Sequence, residues 1–149
     1  MIIHKVCDLS FAEFIAKSQV KMALETEDYV LDYDIVIKGV TSVIKDPLKG
    51  SYYVMLKDNI PVSCLLTVPE WSDWRNKTVL WIHSVYVEES YRKQGIYKKM
   101  YESLVEFVKH SDKYAGIRLY VDKRNTQALD VYSALGMESE HYSLCEWLK

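Results

Sequence analysis

The chain has 149 residues, of which 49% are hydrophobic and 27% charged, a balance typical of one globular domain over 1–149. A formal charge of −2 argues against nucleic-acid binding, and no apolar run approaches the ~20 residues that span a membrane. Three cysteines without close spacing, and no signal-peptide pattern, predict a cytoplasmic protein with neither a disulfide framework nor a zinc site.

The first half of the chain is predicted to hold a strand, two helices and a hairpin. Ser10 and Glu13 form a capping box that begins the first helix, and Asp46-Pro47 ends the second. The stretch 69–77, aromatic and polar together, is predicted to be a linker after the hairpin. The expected elements are a strand at 2–7, helices at 10–24 and 34–45, and hairpin strands at 51–57 and 62–68.

The second half is predicted to alternate strands with helices. Asn125 is expected to cap the last helix, and Gly136 to end it. The expected elements are strands at 78–87, 117–121 and 142–148 and helices at 94–110 and 125–136. The resulting order, β-α-α-β-β-β-α-β-α-β, predicts an α/β (α+β) fold with a mixed sheet.

The segment that joins strand 78–87 to the next helix, here called the 92–98 turn, has the features of an anion site. A helix N-terminus leaves backbone N–H groups unpaired and suits a phosphate. Arg92, Lys93 and Lys98 add positive charge, which is unfavourable there unless an anion is bound. Gly95 has no side chain to keep a phosphate from the backbone. With neither a P-loop nor a Rossmann motif present, the turn predicts a pyrophosphate-bearing cofactor.

Two motifs resemble the signatures of the GNAT superfamily of N-acetyltransferases. The first is Arg-x-x-Gly-x-small, present as R-K-Q-G-I-Y at 92–97, where Tyr97 stands in place of the usual Gly or Ala. The second is N-x-x-A-x-x-x-Y-x-x-x-G-(F/M), which matches 125–137. The resemblance spans essentially the whole chain. It implies a mixed, mostly antiparallel central sheet of six to seven strands flanked by four helices.

The resemblance implies acetyl-CoA-dependent transfer of an acetyl group to a primary amine, without a metal. In the family the tyrosine matched by Tyr132 protonates the departing thiolate, and a phenol with a pKa of ~10 keeps its proton at neutral pH. The strand edge and the 92–98 turn are implied to hold acetyl-CoA. The residues so implicated are Val85, Tyr86, Val87, Arg92, Lys93, Gln94, Gly95, Ile96, Tyr97, Lys98 and Asn125.

The general base is left open by the sequence. The family often uses a carboxylate at the position that Trp81 occupies here. His83, two residues later, is the first candidate because an imidazole titrates in the right range. Glu70 and Asp73, in the preceding stretch, are two further candidates.

The acceptor amine is also left open. Five acidic residues within 25–34 favour a cationic acceptor such as a polyamine, an aminoglycoside or a peptide lysine, the alternative being a solvated loop. Trp71, Trp74 and Trp81 either wall the acceptor pocket or cover the core. Two other functions fit the sequence: a non-catalytic coenzyme A sensor, and a protein-interaction module using the tryptophans. Homodimers are common in the superfamily, so the oligomeric state is open.

Overall fold

A computed structural model describes residues 2–139 and 143–147. They form one sheet of five strands in the order β1-β2-β3-β4-β5, with four α-helices. The strands are β1 (Ile2–Lys5), β2 (Ser51–Lys57), β3 (Ile60–Ser72), β4 (Lys77–Val87) and β5 (Tyr114–Leu119). The helices are α1 (Ala12–Glu27), α2 (Tyr33–Lys45), α3 (Ile96–Lys109) and α4 (Thr126–Ala134). The predicted mixed α/β architecture is confirmed, and its order of elements holds through α4.

The sheet has fewer strands than the six to seven expected. Residues 142 and 148, the ends of the last predicted strand, lie outside the described residues, and 143–147 do not join the sheet. The pairs β1–β2, β2–β3 and β3–β4 are antiparallel, whereas β4 and β5 are parallel. Among the described residues, no helix is both long enough and apolar enough to cross a membrane.

The start of α1 differs from the prediction. Asp8, and not Ser10, supplies the capping oxygen: its carboxylate accepts the backbone N–H of Ser10 at 2.8 Å. This bond closes a short 3-10 turn over Leu9–Phe11, and α1 begins only at Ala12. An aspartate side chain can bond the backbone N–H two residues ahead, without the reciprocal bond of a capping box. The chain therefore makes a tight 3-10 turn before α1 begins.

The stretch 69–77 is the end of a hairpin and not a linker. Trp71 pairs with Thr78 and Ser72 with Lys77, so β3 and β4 remain hydrogen-bonded almost to the turn. Aromatic residues suit a pleated strand, which explains why the pairing extends through this stretch. The side chain of Trp71 is 63% exposed, so this end of the hairpin presents an aromatic surface.

Buried cores lie on both faces of the sheet. The helices α1 and α2 pack against one face, and α3 packs against the other. The first core includes Ile15, Ala16, Val40, Val54, Cys64 and Tyr86. The second includes Leu65, Ile82, Ile96, Met100 and Leu104. Because each large apolar side chain contributes about 1.5–3 kcal/mol on burial, these two cores fix the position of β4 between the helix layers.

Candidate active site

The strands β4 and β5 separate before β4 ends. Their last parallel pair is Ile82 with Leu119, whereas β4 runs on to Val87. On its other side β4 stays paired with β3 up to the pair of Val87 with Ser63. Within residues 2–139 and 143–147, no strand therefore pairs with His83–Val87 on the β5 side. The result is a gap between β4 and β5, lined by a free strand edge.

A bulge changes the alternation of β4 at the gap. His83 pairs with Leu66 and Tyr86 pairs with Cys64, so β4 has one more residue than β3 between these pairs. Ser84 adopts a φ of 53°, in the left-handed region. Bulges of this kind bend a strand and turn its following residues. The bend lies at the point where β4 and β5 part.

The backbone of Val85 and Val87 faces the gap. The N–H of Glu88 donates to the carbonyl of Val62 in β3 at 2.9 Å, so Tyr86, two residues earlier, also bonds toward β3. The residues on either side of Tyr86, Val85 and Val87, therefore direct N–H and C=O groups to the gap. Tyr86 was named with them as a cofactor contact, but its backbone belongs to the β3 ladder and its side chain lies in the core under α1.

The N-terminus of α3 is open at the 92–98 turn. Gly95 is its N-cap, with a φ of 71°, and no side-chain cap is found in the described part of the chain. A Cβ added to Gly95 would meet nothing within 4 Å. The N–H groups of the first helical turn thus point toward open space, with Lys93 and Lys98 exposed beside them. This geometry suits an anion, while buried Ile96 anchors the turn in the α3 core.

Arg92 connects the 92–98 turn to α1 and to the free edge. Its Nη2 donates to the carboxylate of Glu25 at 2.6 Å, and its Nε donates to the carbonyl of Val87 at 2.9 Å. Its guanidinium carbon also lies 5.6 Å from the centre of the Tyr86 ring. Two of its nitrogens are therefore engaged, and Nη2 can bind an anion at the turn only by leaving the Glu25 carboxylate.

The side chain of Tyr97 packs into the core under α3, away from the backbone of the 92–98 turn. Its ring centre lies 6.2 Å from that of Tyr101 and 5.7 Å from that of Tyr132, in an edge-to-face contact with the latter. Its hydroxyl is buried and has no hydrogen-bond partner among the described residues. Burial raises the pKa of Tyr97, so this hydroxyl keeps its proton. The bulky residue in place of Gly or Ala thus leaves the 92–98 turn open.

Tyr132 lies on α4, two helical turns after its cap. The cap is Asn125, as predicted, whose Oδ1 accepts the N–H of Ala128 at 3.0 Å. Burial raises the pKa of Tyr132. The phenol of Tyr132 is therefore protonated at neutral pH and can act as an acid.

A cavity of about 540 Å³ lies between the end of α1, the 92–98 turn and the start of α4. It brings Arg92 and Asn125 together, one from each sequence motif. Arg124 bonds Asp122 at 2.5 Å and lowers the pKa of Asp122 to about 2, so that carboxylate is charged. The lining residues are Glu25, Thr26, Glu89, Arg92, Asp122, Arg124, Asn125 and Gln127.

His83 lies in an aromatic group on β4 and the end of β5. Its ring centre is 6.3 Å from that of Trp81 and 6.1 Å from that of Tyr120, and the latter two are 4.5 Å apart. The side chain is half-buried, and burial lowers the pKa of His83. The imidazole is therefore neutral at pH 7 and able to accept a proton.

Glu70 and Asp73, the two alternative candidates for the base, are less suited to that role than His83. Glu70 accepts hydrogen bonds from Trp81 Nε1 at 2.8 Å and from Arg118 Nη1 at 3.0 Å, so both of its oxygens are engaged. Asp73 lies at the hairpin turn, beyond the pair of Ser72 with Lys77. Lys77 precedes His83 by six residues in β4, which is ~20 Å of strand.

Arg118 and Tyr120 were not predicted as site residues. Arg118 lies in the paired part of β5 and bonds Glu70, and Tyr120 follows the end of β5 and stacks near Trp81. The sequence offered one signal for such a role, because Arg118 is a charged residue within the otherwise apolar strand predicted at 117–121. Its partner could not be predicted, because 48 residues separate the two in sequence.

The sequence that forms this site matches a known protein family. The model described as "Acetyltransferase (GNAT) family" matches residues 4–137. The chain belongs to the GNAT family of acetyltransferases. The GNAT match runs from the second half of β1 through α4, and so includes the gap, the 92–98 turn and Tyr132. A search of curated protein sequences gave no match.

Solved structures share the GNAT fold. A possible acetyltransferase from Clostridium difficile 630 is 34% identical, with a TM-score of 0.93 over 99% of this chain and 97% of that one. An aminoglycoside acetyltransferase from an uncultured soil metagenomic sample, in complex with sisomicin, is 19% identical, with a TM-score of 0.75 over 99% and 96%. A ribosomal-protein-alanine N-acetyltransferase from Brucella melitensis biovar Abortus 2308 is 12% identical, with a TM-score of 0.79 over 99% of both chains. The last two likenesses establish the fold alone.

Proposed function

We propose that the protein transfers an acetyl group from acetyl-CoA to a primary amine, by direct attack of the amine on the thioester. The observation that carries this proposal is the free edge of β4, which leads from the gap into the 92–98 turn. An extended amide chain can add to a strand edge, and a pyrophosphate suits an open helix N-terminus. Coenzyme A joins those two groups in one molecule, so the residues present fit it.

Residues of both motifs would hold the cofactor. The gap-facing N–H and C=O groups of Val85 and Val87 would bond the amides of the pantetheine arm. The N–H groups of the first turn of α3, with Lys93 and Lys98, would bind the pyrophosphate. The Nη2 of Arg92 would exchange the Glu25 carboxylate for a phosphate oxygen. When bound, acetyl-CoA supplies an acetyl group activated as a thioester.

The chemical step needs a base, a polarising group and an acid. The amine arrives as an ammonium ion, and His83, neutral at pH 7, would accept the proton directly or through water. A gap-facing N–H of β4 would polarise the thioester carbonyl as its oxygen gains charge. Tyr132 would pass its hydroxyl proton to the departing sulfur. The attacking nitrogen loses its second proton to solvent as the amide forms. His83 then releases its proton to solvent and the Tyr132 phenolate regains one, which completes the cycle.

The cavity carries one more acidic than basic side chain, which favours a cationic acceptor. Glu25, Glu89 and Asp122 line it with Arg92 and Arg124, which pair with Glu25 and Asp122. Transfer of Arg92 from Glu25 to a phosphate would leave the Glu25 carboxylate without its cation. Of the acidic segment 25–34, Glu25 reaches the cavity, whereas Asp32 caps α2. One fold neighbour is described as an aminoglycoside acetyltransferase, which fits an amine-rich acceptor. We therefore propose a polyamine, an aminoglycoside or a lysine side chain as the acceptor class.

Calorimetric titration with acetyl-CoA tests the cofactor site, with desulfo-coenzyme A and ATP as controls. We expect micromolar binding of both coenzyme A species and weak binding of ATP, which lacks the pantetheine arm. A panel of cationic and neutral amines, followed by release of free thiol, then tests transfer. Binding without transfer to any amine would favour a coenzyme A sensor instead. No binding of either coenzyme A species would refute the proposal and favour a protein-interaction role for the exposed Trp71 and Trp74.

A further inference from the structure

We infer that Tyr97 is a positioning residue for Tyr132, whose hydroxyl supports the Tyr132 oxygen during the departure of the thiolate. This inference rests on the proposed function, because it concerns the acid in the same reaction. The two tyrosines come from different helices, Tyr97 from the first turn of α3 and Tyr132 from the last turn of α4. The GNAT motif has a small residue at the position of Tyr97, so the motif itself does not supply this contact.

The rings of Tyr97 and Tyr132 pack edge to face. Their centres are 5.7 Å apart, with an interplanar angle of 74°. The ring of Tyr97 packs in the core under α3, next to Tyr101, and its hydroxyl oxygen is buried. In the described part of the chain that hydroxyl has no partner. A buried hydroxyl left without a hydrogen bond destabilises the folded state, so a core that needed only bulk would be better served by phenylalanine.

Transfer of the Tyr132 proton creates the partner that Tyr97 lacks. Once the proton moves from the Tyr132 oxygen to the thiolate sulfur, a half-buried phenolate remains, and burial penalises such a charge. A neighbouring O–H that donates to it offsets this penalty. A charge-assisted hydrogen bond of this kind is stronger than a neutral one, so its effect is largest as the negative charge develops.

The protonation preferences of the pair agree with this direction. Burial raises the pKa of both phenols, and it raises that of Tyr97 more than that of Tyr132. Tyr97 therefore keeps its proton and donates a hydrogen bond, while Tyr132 is the phenol that ionises. No proton leaves Tyr97, and the Tyr132 phenolate is reprotonated from solvent after the thiol departs.

The experiment compares Tyr97→Phe, Tyr132→Phe and the double variant, with Tyr101→Phe as the matched control on the same helix. Steady-state kinetics with acetyl-CoA and a saturating amine give kcat and KM, and thermal unfolding gives Tm. We expect Tyr97→Phe to lower kcat about tenfold with an unchanged KM for acetyl-CoA, as for loss of one charge-assisted hydrogen bond. Its Tm should stay the same or rise. Tyr101→Phe should keep the kcat of the unaltered protein.

The double variant tests most directly whether Tyr97 acts through Tyr132. If Tyr97 acts through Tyr132, removing both hydroxyls should cost no more kcat than Tyr132→Phe alone. A further tenfold loss in the double variant would overturn the inference, as would a lower Tm or a raised KM in Tyr97→Phe. An unaltered protein that transfers nothing would remove the proposed function and this inference together. Full turnover in Tyr97→Phe, with a strong loss in Tyr132→Phe, would refute the inference alone.

Discussion

The guanidinium of Arg92 donates to the carboxylate of Glu25 at 2.6 Å, across 67 residues of sequence. This bond ties the end of α1 to the turn that precedes α3, and the same side chain also bonds the carbonyl of Val87. Both side chains are about 40% exposed, and such pairs contribute only about 0.2–1 kcal/mol. An incoming pyrophosphate can therefore displace Glu25, but it must compete with it.

The variant Glu25→Gln should bind acetyl-CoA more tightly, by about two- to fivefold, because Arg92 no longer has an anionic partner to leave. Glu13→Gln, on the same helix, removes a comparable exposed pair with Lys17 and serves as the control. Calorimetry of both variants measures the change. Equal affinities in the two variants would show that Arg92 does not exchange partners on binding.

The variant Gly95→Ala should weaken acetyl-CoA binding about tenfold. A Cβ at φ 71° would stand beside the open N–H groups of α3, where the pyrophosphate must approach. Gly136→Ala is the matched control, since Gly136 has a φ of 79° and also has free space for a Cβ. Both changes should lower the free energy of unfolding by about 1 kcal/mol, because alanine disfavours the left-handed region.

Denaturation of these two glycine variants, combined with calorimetry, separates binding from stability. A similar loss of stability with a loss of affinity only in Gly95→Ala would support the anion site. Equal affinity for acetyl-CoA in both variants would place the pyrophosphate elsewhere.

The variant Tyr132→Phe should lower kcat by about 10²- to 10³-fold, the usual contribution of a general acid. The dissociation constant of acetyl-CoA should change little, because the phenyl ring and its contact with Tyr97 remain. Thiol release measures the first quantity and calorimetry the second. Parallel losses in rate and affinity would make Tyr132 a binding residue and not the acid.

As the pH falls below 6.5, the free energy of unfolding should decrease because of His83. An unfolded imidazole has a pKa of ~6.5, and burial lowers the pKa of His83 below that value in the folded protein. Between the two values the unfolded state binds more protons, so the free energy of unfolding decreases as the pH drops.

Urea unfolding of His83→Gln at pH 7.5 and 5.5 should show a smaller pH effect than in the unaltered protein. The variant His4→Gln removes an exposed histidine of β1 and should retain the full effect. If the free energy of unfolding of His83→Gln changes between pH 7.5 and 5.5 as much as that of the unaltered protein, groups other than His83 cause the change.

Local signals predicted much of the fold. The motif around Asn125 identified a helix cap, and the side chain of Asn125 makes that bond. Gly95 was predicted to let a phosphate approach the backbone, which stays a prediction, and the structure adds that its φ is 71°. These features depend on a few neighbouring residues, which the sequence presents together. The family and the mixed fold followed from them and are confirmed, whereas the roles of individual site residues stay predictions.

Long-range features could not be predicted in the same way. The bulge has Ser84 at a φ of 53°, where glycine would be the usual signal, so nothing in the sequence indicated it. The bonds of Glu70 to Trp81 and Arg118 depend on the register of three strands. A shift of one residue would turn these side chains to the other face. Only the assembled sheet determines such neighbours.

The free edge of β4 also matters to the protein when no cofactor is bound. An unpaired strand edge offers N–H and C=O groups to any extended chain, including one from another molecule. A coenzyme A molecule that occupies the gap would cover this edge and block such contacts. The ligand would then act as a guard against aggregation as well as a reactant, and concentrated protein should stay in solution longer when coenzyme A is added.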